Sequence, residues 1–168
     1  MGDILANLIR FIFLLALQVA LFNHINLFGY VNAYPYMLFI LLYPISGNKN
    51  LLLLLSFILG LVLDLFSNSG GVHAVACLTV AYIRPQLFKF SFGISYEYNT
   101  IKIMSKMTSE RITLLVSAIT IHHLVLFILE YFRFSLILDI FLQSVLTSIL
   151  TIMVSLLMFY IFKPIKKR

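Results

Sequence analysis

Residues 59–82 read LGLVLDLFSNSGGVHAVACLTVAY: an apolar run closing on a carboxylate, a polar turn with two adjacent glycines, then a second apolar run of small residues. Apolar runs of about 20 residues cross a bilayer as helices, because a helix satisfies its own backbone where water is absent. The same alternation continues outward in both directions. Apolar segments fall at about 4–22, 34–45, 51–66, 72–88, 112–130 and 138–162, and 62% of the 168 residues are hydrophobic. The expected fold is an all-α membrane protein, one polytopic domain over residues 1–168, with six transmembrane helices of which the second and third are short. Segment 34–45 carries Pro35 and Pro44, so it is expected as a thin span, a tilted span shielded by its neighbours, or a re-entrant piece; five spans is the alternative count. The longest polar stretch, 86–111, is far shorter than the roughly 50 residues an independent domain needs.

Charge sets the expected orientation. With six spans and both termini in the cytoplasm, the inner face receives Lys49, Arg84, Lys89, Lys102, Lys106, Arg111, Lys163, Lys166, Lys167 and Arg168, ten of the twelve basic residues. Arg10 falls in the inner half of the first span and only Arg133 lies outside, as the positive-inside rule requires. The first segment is expected to be retained, because Asn23–Tyr30 offers no small-residue cleavage site after it. Phe88, Phe90, Phe92, Tyr96 and Tyr98 precede Lys102 and Lys106, and such rings favour the headgroup level, so the 86–111 loop is placed on the inner leaflet. The formal charge of +6 is explained by anionic lipids at the inner face, at roughly 1 kcal/mol per basic residue near the surface, and requires no nucleic acid. The single cysteine, Cys77, says nothing about redox compartment.

Polar residues inside spans are costly and therefore informative. Ser56, Gly60 and Asp64 recur every fourth residue and share one helix face, a stripe suited to close helix packing. Asp64 needs a partner or water there, and His73, Arg133 or a group on another protein are the candidates. Gly70 and Gly71 accept positive φ and suit either a tight helix-to-helix turn or a functional approach. His73 stands either paired with Asp64 or as an interface histidine. Thr113, Ser117, Thr120 and His123 share a face of the fifth segment; Ser144, Ser148 and Ser155, with Thr147 and Thr151 nearby, line one of the sixth. Asn7 and Gln18 share a packing face of the first. Glu130, Arg133 and Asp139 cluster at the outer ends of the last two segments, either as part of one network with Asp64 and His73 or as separate solvated charges. Adjacent His122 and His123 diverge around a helix, whereas metal ligands recur at i, i+3 or i, i+4, so no metal is expected. Nucleophile-elbow, P-loop, zinc-protease and nucleotide fingerprints are absent from the sequence, and neither catalysis nor a cofactor is expected.

The 59–82 run, with D-x5-GG-x-H at its centre, resembles the central signature of the rod shape-determining protein MreD family: an apolar helix with a GLxxD-like end, a short glycine turn, then a small-residue helix. Chain length, the six-segment layout and the basic C-terminal tail extend the likeness over essentially the whole chain. The resemblance implies a non-enzymatic subunit of the bacterial cell-elongation machinery in the cytoplasmic membrane. It would associate with an MreC-like single-span protein, and through it with the RodA and penicillin-binding (PBP2-type) peptidoglycan synthases and the MreB-type filament. The family fold is also similar to the substrate-binding membrane subunit of energy-coupling-factor vitamin transporters. On that analogy Asp64, Gly70, Gly71 and His73 are candidates for partner or ligand contact. The alternative function is a solute-binding subunit of such a transporter, for which Tyr30, Tyr34 and Tyr36 could line an outward pocket. The His122–His123 pair and the tyrosine-rich inner loop depart from the family pattern.

Overall fold

The computed structural model of the protein describes residues 2–27, 29–93, 107–132 and 134–161. Helices α1 (Gly2–Ala20), α2 (Leu38–Leu42), α3 (Lys49–Ser67), α4 (Val72–Phe92), α5 (Ser109–Tyr131) and α6 (Ile137–Ile161) are joined by short 3-10 turns at Phe22–His24, Pro35–Met37 and Phe134–Leu136, with no strand among the described residues. Four stretches are long and apolar enough to cross a bilayer: Leu5–His24, Lys49–Ser67, Ser109–Tyr131 and Ile137–Ile161. The third apolar segment, expected to be short, is a 19-residue helix. Its start is fixed by the Asn48 side chain, which accepts from the backbone N–H groups of Asn50 at 2.9 Å and Leu51 at 3.2 Å, the usual N-cap arrangement.

Helix α4 runs on to Phe92 with Pro85 inside it, so the first residues expected in the polar loop are helical; 94–106 of that loop lie outside the described residues. At 21 residues it reaches about 30 Å, yet it carries Arg84, Gln86 and Lys89 in its second half. It packs between α3 and α5, where Arg84 is buried while Gln86 and Lys89 stay exposed. Contact with α3 is close. A Cβ on Gly60 would lie 2.4 Å from Ala74 Cα and 2.5 Å from the His73 carbonyl oxygen, so the small-residue stripe is where two helix backbones meet.

The second segment is not a helix of membrane length. Pro35–Met37 and α2 give eight helical residues, about 12–14 Å, because Pro35 starts the run and Pro44 prevents its continuation. This segment forms the centre of the bundle rather than its surface: Tyr36, Met37, Phe39 and Ile40 are fully buried and Leu38 and Leu41 nearly so. Broken helices leave backbone carbonyls without helical partners, and two arginines supply them. Arg84 Nη2 donates to the carbonyls of Leu41 at 3.2 Å and of Tyr43, while Arg10 Nη1 donates to that of Leu42 at 2.9 Å. Arg84 is 7% exposed. Arg84, counted with the inner-face charges, is thus a buried donor to the backbone of the broken segment.

Paired contacts fix the direction of each element. Gln18 meets Ala33 and Arg10 meets Leu42, so 33–42 runs antiparallel to α1. Gly60 faces Ala74, Cys77 lies 3.9 Å from His122, and His123 bonds Ser148, so α3 to α6 alternate up and down. The α3–α4 turn and the α5–α6 connection consequently lie at one end of the bundle, with the C-terminus of α1.

Candidate functional site

The α3–α4 turn is built around one carboxylate. α3 closes on Asn68, whose φ of 50° is left-handed and whose N–H returns to the Asp64 carbonyl. Gly70 and Gly71 follow at φ 68° and 101°, a left-handed succession that glycine accepts without a Cβ penalty. Gly71 is the N-cap of α4 and has no side chain to cap with. Asp64 provides the cap from the preceding helix: Oδ1 accepts from His73 N–H at 3.0 Å and Oδ2 from Ala74 N–H at 2.9 Å. Ser69 Oγ–H donates to Oδ1 at 2.6 Å, and His73 Nδ1 lies 3.0 Å from the same oxygen. A carboxylate accepts only, so neutral His73 holds its proton on Nδ1. The negative charge also sits at the positive end of the α4 dipole. Among the candidates for pairing with Asp64, the structure selects His73.

Behind this turn the histidines and tyrosines meet. Tyr34 lies 5.6 Å from His73 and 5.5 Å from His123, ring centre to ring centre. Tyr36 hydrogen-bonds His122 Nε2 at 3.0 Å, and His123 Nδ1 lies 3.1 Å from Ser148 Oγ across the α5–α6 contact. His122 and His123 are fully buried, and among the described residues no three His, Cys, Asp or Glu side chains converge as metal ligands.

In front of the turn lies a cavity of about 440 Å³ lined mostly by polar groups, among them Asn23, Asn32, Tyr34, Ser69, His73 and Glu130. Five separate stretches build it: the end of α1, the 30s segment, the end of α3, the start of α4 and the end of α5. Asn23 ties the wall together, accepting from Gln18 Nε2 at 2.9 Å and reaching Ser67 Oγ at 3.4 Å. Gln18 in turn donates to the Ala33 carbonyl at 3.1 Å.

Other expected positions distribute unevenly. Ser56, Ser144, Thr147, Ser148, Thr151 and Ser155 are buried, with Ser144 donating to the carbonyl of Ile140 at 2.7 Å and Thr151 Oγ1 accepting from Tyr34 N–H at 3.0 Å. On α5 the stripe is not one packing face: Thr113 is exposed and returns its hydroxyl to the Ser109 carbonyl, Ser117 bonds the Leu114 carbonyl, Thr120 is half-buried, and His123 alone reaches another helix. Glu130 lines the cavity with His73, whereas Asp139 is exposed on the first turn of α6; Arg133 lies outside the described residues. Of the three tyrosines, Tyr34 lines the cavity, Tyr36 is buried beneath it, and Tyr30 is half exposed. On the first segment's face Gln18 is buried, and Asn7, half-buried, accepts from Arg10 at 3.1 Å.

Sequence reading missed the cavity lining by Asn23 and Asn32 and the Tyr36–His122 bond. Two prolines around an apolar run too short to span were the available signal that this run is core. Compared with protein-family models, curated proteins and solved structures, the chain matches none.

Proposed function

We propose that this chain is a non-enzymatic membrane subunit of MreD type, crossing the bacterial cytoplasmic membrane six times with both termini inside. It would bind an MreC-like single-span protein and, through it, support RodA/PBP2-type synthases and an MreB-type filament. The observation that carries this reading is that the 59–82 signature behaves as one unit: Asp64, Ser69, Gly70, Gly71 and His73 all serve the same self-capped helix hairpin at one end of the bundle. Helix α1 adds a lateral face for a partner helix, since Leu14 and Gln18 are buried in it while Leu5, Leu8, Ile9 and Ile12 are more than half exposed. Depletion should round a rod-shaped host, and the tagged chain should co-purify with an MreC-like protein in mild detergent.

The polar cavity favours a second reading, a solute-binding subunit of the vitamin-transporter type. Intact shape on depletion together with lost uptake of a vitamin would decide for it. Orientation has its own check in a Cys77→Ala background. An impermeant thiol reagent applied to intact cells should label Ser135→Cys and leave Ser95→Cys unlabelled; the reverse pattern would invert the topology.

A further inference from the structure

The cavity in front of the α3–α4 turn has a chemical bias that neither reading above requires. Its volume, about 440 Å³, is in the range that holds a small organic solute. Several of the groups it presents are acceptors. His73 turns Nδ1 to Asp64, so in the neutral ring the lone pair is on Nε2. Ser69 spends its hydroxyl proton on the same carboxylate. Asn32 Oδ1 is buried with no hydrogen-bond partner, and a buried acceptor left unsatisfied is costly. Glu130, exposed at the rim, is the one carboxylate among the described lining side chains. Tyr34 closes the inner side with its ring against His73, and an aromatic face attracts cations.

A site with one carboxylate, an imidazole lone pair, an unsatisfied amide oxygen and an aromatic face complements a ligand that brings N–H donors and positive charge. We propose that this cavity binds a small water-soluble primary ammonium compound, its ammonium group between Glu130 and Tyr34 and its remaining donors toward Asn32 and His73. Anions are disfavoured by Glu130 and by the Asp64 carboxylate immediately behind His73. A neutral polyol would find acceptors but no use for the charge. Whichever of the two functions above holds, the site and its preference are the same.

The test is binding to the full chain in detergent micelles, using ethanolamine and 1,4-diaminobutane as ammonium probes and glycerol and acetate as neutral and anionic controls, all at constant ionic strength. Saturable thermal stabilisation is expected with the ammonium probes and not with the controls. Glu130→Gln, which keeps size and removes charge at an exposed position, should weaken binding roughly tenfold, the effect of one close charge partner. Asp139→Asn removes a carboxylate exposed on α6 and outside the cavity lining, and it should leave binding unchanged. Three results would each overturn the proposal: no saturable response to either ammonium probe, an equal response to glycerol or acetate, or equal weakening by Glu130→Gln and Asp139→Asn, which would mark nonspecific attraction to surface charge.

Discussion

Asp64→Leu is expected to destabilise the protein by about 3–5 kcal/mol, the range found when one partner of a buried ionic or charge-assisted network is removed. The carboxylate accepts from Ser69 Oγ, from the backbone N–H groups of His73 and Ala74, and from His73 Nδ1, at 2.6–3.0 Å. Leucine accepts none of these. Two N–H groups at the start of α4 would then be buried without partners, each costing about 1–3 kcal/mol, and Gly71 has no side chain to replace the lost cap. Asp64→Asn keeps one carbonyl oxygen, which can still accept from Ala74 N–H, but it turns an NH2 group toward His73 and loses the favourable charge at the helix start. It should lie between wild type and leucine. Unfolding in mixed micelles with increasing SDS, followed by helical circular dichroism, reads the difference. A leucine variant as stable as wild type would mean that the turn is held by its glycines and by helix packing alone.

Arg84→Met is the second large effect, expected at about 2–4 kcal/mol by the same assay. The guanidinium donates to the carbonyls of Leu41 and Tyr43 in the middle of the bundle, and it also lies 4.7 Å from the Phe88 ring centre. Methionine fills much of the same volume but donates nothing, so those carbonyls lose this donor in a place where water cannot replace it. Arg84→Lys should cost less than methionine and more than nothing, since an ammonium donates from one point whereas the guanidinium forks. Equal cost for lysine and methionine would show that the planar fork, rather than charge, holds the broken segment. No cost for either would mean that α2 keeps its shape through apolar packing alone.

The parts of the α3–α4 hairpin were legible because they are local, although the Asp64–His73 pairing was one of two readings and the capping of α4 by Asp64 was not foreseen. Asp64, Ser69, the glycine pair and His73 lie within ten residues, and the four-residue recurrence of Ser56, Gly60 and Asp64 places them on one helix face whatever the rest of the chain does. The same periodicity misled on α5. There Thr113, Ser117 and Thr120 share a face with His123, but which part of that face meets a neighbour depends on how far α6 and α4 extend alongside it, and that is not encoded in spacing. Charge counting could not show what the charges bind: Arg10, placed in the inner half of the first span, and Arg84, placed at the inner face, both donate to the carbonyls of a broken helix.

By itself the sequence determined the membrane class, the helical content and the approximate positions of the apolar segments, because hydropathy and periodicity act over a few residues. Only the tertiary structure decided that segment 34–45 is a buried, broken helix rather than one of membrane length, that Tyr36 bonds His122 across 86 positions of chain, and that five separate stretches close around one polar cavity. Those features arise from long-range contacts among elements whose local sequence would have allowed other partners. In lipid, lateral helix packing, not hydrophobic burial, makes that choice, and packing is a property of complementary surfaces that no single segment carries.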